Sequence, residues 1–416
     1  MTLHSATLAV NETLRARQAA GERVLHLGFG EAGLPVPESV TRTLARSARL
    51  NGYAPVAGSP EAREAAAGWF GRRGTQTRPE QVIFAPGSKA LLFALLAALP
   101  GDVVLPRPAW VSYAAQTALV GKRAIGVPIP AATGGVPDPD LLDGALRAAR
   151  AEGADPRTLV LTVPDNPTGT VARDEQLRAV CETAERHGLA VIADEIYAEL
   201  CHTGRAPSPH RHLPERTVIT SGLSKSMAVG GWRIGFARVP EGDWGRSLLA
   251  ELTGIASEVW SGIAAPMQAV AAHVLADPPD VLEHVDRARA LHARVAAAVH
   301  AEFAAAGARC RAPEGGFYLY PDFEPLRSAL EAQGIGKSAE LSRALLERHG
   351  IGVLPGEVFG DAPEALRFRV ATSLLYGERD DERWQTLASD DPVSLPWIRT
   401  ALEHLRSGLA ELTGGA

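Results

Sequence analysis

The sequence predicts an α/β protein: a large domain with a mostly parallel sheet flanked by helices, plus a smaller α+β domain. Two observations carry this expectation. Between about residues 80 and 240, short apolar or β-branched runs at 81–85, 102–105, 158–163, 190–194, 217–220 and 233–238 alternate with segments of helical period such as 139–150 and 174–187. Strands separated by helices pair in parallel and are covered on both faces. After about residue 290 the pattern changes to a long Ala/Arg-rich helix, then Gly315-Gly316-Phe317-Tyr318-Leu319-Tyr320 and a strand-like run at 365–371. The expected division is 41–290 for the large domain and 1–40 with 291–416 for the small one.

Composition narrows the function classes. With 416 residues, 46% hydrophobic and 22% charged, the chain can bury a core large enough for two domains. The net charge of -6 and the absence of a Lys/Arg block argue against an electrostatic docking surface for nucleic acid or a membrane. Small molecules are the expected partners. The apolar run at 90–99 is short of the ~20 residues that span a bilayer and reads as a buried helix. The first fifteen residues mix His4, Asn11, Glu12 and Arg15 with apolar positions, unlike a signal peptide, so a cytoplasmic protein is expected. Cys181, Cys201 and Cys310 are far apart with no CxxC pair, and read as reduced structural thiols rather than metal ligands.

In open α/β sheets, ligands sit beyond the carboxyl ends of the strands. The first such end carries Pro86-Gly87-Ser88-Lys89 before a helix, either an anion site made of free amides or simply an N-cap. The second carries Pro106-Arg107-Pro108-Ala109-Trp110; this indole either stacks on a flat ligand or packs beneath its loop. The third ends in Pro164-Asp165-Asn166-Pro167, a proline-fixed turn offering a neutral donor and acceptor. Next, the apolar run at 190–192 leads to Asp194, Glu195 and Tyr197, where a strand-end carboxylate serves as a cap or holds a buried cation. Finally Ser221-Gly222-Leu223-Ser224-Lys225 precedes Gly230-Gly231-Trp232-Arg233-Ile234-Gly235. Lys225 alone reads as a surface lysine. Beside hydroxyls at a strand end it is also a candidate desolvated amine nucleophile.

Pyridoxal 5'-phosphate needs all these parts together: an amine for its aldehyde, donors for its phosphate, an aromatic for its ring face and a carboxylate for its pyridine nitrogen. Here the sequence resembles the fold-type-I pyridoxal-phosphate enzymes, specifically the class I aminotransferases similar to aspartate aminotransferase, across nearly the whole chain. Gly222, Ser224, Lys225, Arg233 and Gly235 satisfy the family's lysine signature. The resemblance implies that Lys225 carries the cofactor as a Schiff base and shuttles the substrate's proton, making it both anchor and general acid/base. It also implies that Asp194 pairs with the pyridine nitrogen and that Asn166 and Tyr197 bond the ring's phenolic oxygen, contacts that lower the basicity of the Schiff base. Trp110 would stack on the ring. Ser88, Lys89 (through its amide), Ser224 and Arg233 would hold the phosphate. Tyr53 is similar to the family tyrosine that reaches the neighbouring subunit's phosphate, which implies a homodimer. Arg367 matches the arginine that grips the substrate α-carboxylate, with Gly30 beside it.

Three departures from the family pattern are visible. Gly222 stands where many relatives have Ser, leaving Ser221 or Ser224 to supply a phosphate hydroxyl. Arg369, two residues after Arg367 and so on the same strand face, is either a second substrate-side cation or a surface charge, and the surface is the preferred reading. Residues 376–397 read as an insertion before a final helix at 398–412, preferentially a plain surface loop rather than a partner or pocket contact. Phe359 is left between pocket lining and core. The implied function is transfer of an amino group from an amino acid to a 2-oxo acid. A same-fold lyase, decarboxylase or oxidase is the alternative, and a ligand-sensing regulator is disfavoured because the segment before Leu27 is too short for a basic DNA-binding module.

Overall fold

Continuous apolar runs mark strands covered on both faces, and the computed structural model, which describes residues 6–414, shows them as such. Among these residues the strands are β1 (Leu25–His26), β2 (Val82–Pro86), β3 (Asp102–Arg107), β4 (Ala124–Pro128), β5 (Pro156–Thr162), β6 (Ala190–Asp194), β7 (Thr217–Gly222), β8 (Ile234–Arg238), β9 (Tyr318–Leu319), β10 (Ile351–Gly352), β11 (Leu354–Pro355) and β12 (Phe368–Ala371). A seven-stranded sheet in the order β2-β8-β7-β6-β5-β3-β4 forms the centre. Only β8 runs antiparallel to its neighbours. Edge strand β4 escaped the sequence reading because Gly126 and Pro128 interrupt its short apolar run and its outer residues are exposed.

Side chains alternate across this sheet. Val103, Leu105, Val160 and Ile192 share one core with the helices Ser88–Ala98 and Asp243–Val259. Val104, Leu159, Leu161 and Val191 share another with the helices Pro139–Ala151 and Asp174–Arg186. The order of strands reverses between β3 and β5: the chain proceeds outward to β4 on one side and through β6 and β7 on the other. Such a reversal leaves a crevice at the carboxyl ends of the strands.

The remaining strands make two small sheets, β1 beside β10 and β11-β12-β9. Leu27, Phe317, Phe323, Phe368 and residues of the helices Pro279–Ala305, Ser338–His349 and Pro396–Thr413 pack against them in one core. The expectation of a surface loop at 376–397 is corrected. This segment contains the helix Asp380–Ala388, Leu387 and Tyr376 are buried, and the Tyr376 hydroxyl lies 2.6 Å from His292 Nδ1. The Trp397 indole donates to Thr386 Oγ1 at 3.1 Å. Asp380, Asp381 and Glu382 form the first turn of that helix, where negative charge is favourable.

Candidate active site

Strand register gathers the first group of residues. Thr162, Asp194 and Thr220 are Cα partners across β5, β6 and β7. Asp194 therefore sits between two threonines at the carboxyl edge. Its oxygens accept from the hydroxyls of Tyr113 at 2.7 Å and Thr220 at 3.3 Å, and Tyr113 also meets Thr162 Oγ1 at 2.7 Å. Burial raises the Asp194 carboxyl to about 6 despite these hydrogen bonds. Among the described residues no side-chain cation forms an ion pair with it, so the carboxylate is built for a cationic partner from outside the chain.

Because β8 is antiparallel, its first residues arrive at the same edge as the last residues of its neighbours. This brings Arg233, immediately before β8, beside Gly87, immediately after β2. The two meet so closely that a Cβ on Gly87 (φ 84°) would lie 2.2 Å from Arg233 Nη2, and one on Gly235 would lie 2.3 Å from Ser88 N. Arg233, itself at φ 58°, donates to the Gly230 carbonyl at 3.0 Å. Ser88 opens the helix Ser88–Ala98, whose first-turn amides have no partner earlier in the helix. Together these groups line the end of a cavity of about 500 Å³. Their chemistry suits a phosphate.

Lys225 follows β7 and points into the same cavity, its ammonium donating to the Gly30 carbonyl. Burial, then the nearby Arg369, lowers its pKa to about 8. Trp110 lines the cavity too, edge-on to Tyr113 with ring centroids 5.3 Å apart. The Tyr197 hydroxyl lies 2.8 Å from that of Tyr318. Asn166 and Ser224 complete this wall, and the helix Ala6–Ala19 brings Leu8, Asn11 and Arg15 to the cavity.

The two arginines at the start of β12 are placed opposite to expectation. Arg367 precedes the strand, where it forms a bridge pair with Asp322, and it remains 38% exposed. Ion pairs with Asp361 at 3.2 Å and Asp322 at 3.4 Å hold it against a separate cavity lined by Thr168, Arg309 and Tyr320. Arg369 is buried, not a surface charge. Its guanidinium donates to Asn166 Oδ1 at 3.2 Å and to the Gly28 carbonyl at 2.9 Å, between the rings of Tyr318 (4.7 Å) and Phe359 (5.0 Å). Nε has no partner. The physical reason lies in register: Arg369 is opposite Leu354 inside the sheet, one strand-turn deeper than Arg367, so the same face that begins at the rim ends in the cavity. Phe359 thus both packs and lines the wall of Arg369.

Tyr53 lies outside its own cavity, 98% exposed. Sequence reasoning gave no role to Tyr113, Thr162 or Tyr318, which line the cavity, or to Thr220, whose hydroxyl bonds Asp194. Of these only Tyr318 stands in a motif the sequence singles out; strand register gives Thr162 and Thr220 their places beside Asp194.

Similarity to known proteins agrees with this geometry. Residues 22–374 match the family model described as aminotransferase class I and II. The chain is 30% identical to aspartate aminotransferase of Bacillus subtilis, covering 91% of this chain and 95% of that protein. It is 29% identical to asparagine–oxo-acid transaminase of Streptococcus mutans, covering 89% and 93%. Among solved structures, that of Thermus thermophilus aspartate aminotransferase with maleate superposes with a TM-score of 0.82 at 28% identity, covering 98% of this chain and 97% of that one. A parallel sheet that delivers an amine, a carboxylate and an anion cradle to one crevice, and similarity along nearly its full length, establish that this chain belongs to the class I and II aminotransferases.

Proposed function

We propose that this aminotransferase holds pyridoxal 5'-phosphate in the cavity around Lys225 and moves an amino group from an amino acid to a 2-oxo acid. The observation that carries the reading is the pair of opposite, mutually unsatisfied buried charges. Among the described residues Asp194 forms no ion pair, and Arg369 donates only to neutral oxygens. A heterocyclic cation suits the first and a substrate carboxylate the second.

When bound, the cofactor supplies an electron-poor ring that weakens the bonds at the substrate Cα and accepts its amino group. The chain does the rest. Lys225, its pKa lowered to about 8, anchors the cofactor and then takes and returns the proton at the substrate Cα. Asp194 keeps a proton on the ring nitrogen. Asn166 Oδ1 is engaged by Arg369, which leaves the Asn166 amide N-H free to donate to the ring's phenolic oxygen beside Tyr197. Trp110 covers one ring face. Ser88, the Lys89 amide, Ser224 and Arg233 hold the phosphate. Arg369 replaces Arg367 as the grip on the α-carboxylate, with Gly30 beside it.

The same reading includes a homodimer. Tyr53 is too exposed to serve its own site and suits a reach into a partner's. Residues 41–290 form the cofactor-binding domain and 1–40 with 291–416 the small domain, a division supported by the seven-stranded sheet lying wholly within the former. Three unpaired cysteines suit a reducing cytoplasm, and no helix among the described residues is long and apolar enough to cross a membrane.

Single-turnover spectroscopy tests the reaction. The purified enzyme, loaded with cofactor, is mixed with one amino acid at a time, beginning with aspartate and asparagine, and the expected result is conversion to the aminated cofactor, reversed by a 2-oxo acid. Release of ammonia, CO2 or peroxide without that conversion would instead identify a lyase, a decarboxylase or an oxidase, respectively.

A further inference from the structure

Tyr318 carries no role in the proposed chemistry, yet it lines the same cavity. It is buried. It lies 2.8 Å from the Tyr197 hydroxyl, with the two rings edge-to-face at 5.4 Å. A Cβ on Gly30 would fall 2.1 Å from it, so the backbone whose carbonyl receives Lys225 approaches it as only glycine allows. The face of the same ring supports the Arg369 guanidinium at 4.7 Å. One side chain therefore touches both the carboxylate-gripping arginine and the tyrosine beside the cofactor's phenolic oxygen.

We infer that Tyr318 is a positioning residue that donates its hydroxyl proton to Tyr197, so that the Tyr197 proton is committed to the cofactor. The inference rests on the proposed cofactor site. A hydroxyl has one proton and two lone pairs. If Tyr197 donates to the phenolic oxygen, only its lone pairs remain for Tyr318, which must then be the donor. Donation into Tyr197 polarises its O-H and strengthens the next bond in the chain. A stronger bond to the phenolic oxygen favours that oxygen's anionic form and lowers the basicity of the cofactor's linkage to Lys225. The charged and titratable groups facing this pair are Arg369 from β12, Asp194 from the end of β6 and Lys225 from the loop after β7.

Tyr318→Phe keeps the ring beneath Arg369 and removes only the hydroxyl. The test is a pH titration of the visible absorbance of cofactor-loaded enzyme, for wild type, Tyr318→Phe, Tyr197→Phe and the double variant. The wild-type midpoint should rise by about half a unit to one unit in Tyr318→Phe, while kcat falls roughly 3- to 10-fold and KM for the amino donor stays within about 2-fold. In the Tyr197→Phe background the second substitution should add no shift, because the relay has already been cut. A Tyr318→Phe midpoint equal to wild type, or the same shift persisting without the Tyr197 hydroxyl, overturns the inference alone. Absence of any pH-dependent band in wild type overturns the cofactor site and this inference together.

Discussion

At the scale of single residues, two arginines separated by one position make the sharpest comparison. Arg369 is buried without an acidic partner, whereas Arg367 is half-exposed between Asp322 and Asp361. Exposed ion pairs contribute little, about 0 to 1 kcal/mol, while a buried guanidinium meeting a substrate carboxylate makes charge-assisted bonds worth about 1.5 to 3 kcal/mol. Arg369→Ala should therefore raise KM for amino donors by roughly 10- to 100-fold. Arg367→Ala should leave it within about 2-fold. Steady-state kinetics of the two variants decide the matter, and the reverse ranking would return the carboxylate to Arg367.

Asp194 makes a prediction about stability. Its folded pKa of about 6 lies above the ordinary carboxyl value. The contribution is therefore fully favourable below about pH 4 and is lost as pH rises through the folded value. In cofactor-stripped protein the ionised, buried carboxylate should cost on the order of 2 to 3 kcal/mol near neutrality. Denaturant unfolding of Asp194→Asn relative to wild type should shift in the variant's favour by about that amount between pH 4 and pH 8. A difference that stays constant with pH would show that the carboxyl is not desolvated.

Elements explain which of these features were legible in the sequence. The strand ends were readable because continuous apolar runs stop at Gly87, Trp110, Asn166, Asp194 and Lys225, and the sheet brings all five to one edge. The distinction between Arg367 and Arg369 was not, because a period of two assigns a face but not a depth, and depth follows from how β12 pairs with β11 and β9. The roles of Tyr113, Thr162 and Thr220 likewise exist only once β5, β6 and β7 are in register. The helix Asp380–Ala388 was obscured by its charge, since its apolar contacts are few and fall on a core assembled from distant segments.

The antiparallel pairing of β2 with β8 yields the prediction at this scale. Gly87 is needed twice over, for its positive φ and for the Arg233 guanidinium that fills the space of a side chain. Gly87→Ala should cost about 1 to 3 kcal/mol locally and displace Arg233 from the phosphate. Spectroscopic titration with pyridoxal 5'-phosphate should show affinity reduced by roughly 10- to 100-fold with the circular dichroism of the fold retained. Unchanged affinity would mean that this cradle does not hold the phosphate.

For the whole molecule, the claim is that a complete site draws on two chains. Subunits of Lys225→Ala and Tyr53→Ala, each weakened alone, should regain activity when co-expressed, because a mixed dimer contains one site with an intact lysine and a partner's intact tyrosine. No gain on mixing would place Tyr53 outside the chemistry.

The chemistry centres on Lys225, held in a desolvated pocket between Gly30 and Asp194. Borohydride reduction of the cofactor-loaded enzyme followed by peptide mass mapping reads this attachment directly. The expected result is a phosphopyridoxyl group on the peptide containing Lys225 and its loss in Lys225→Ala; modification at another lysine, or none on the native enzyme, would contradict the account.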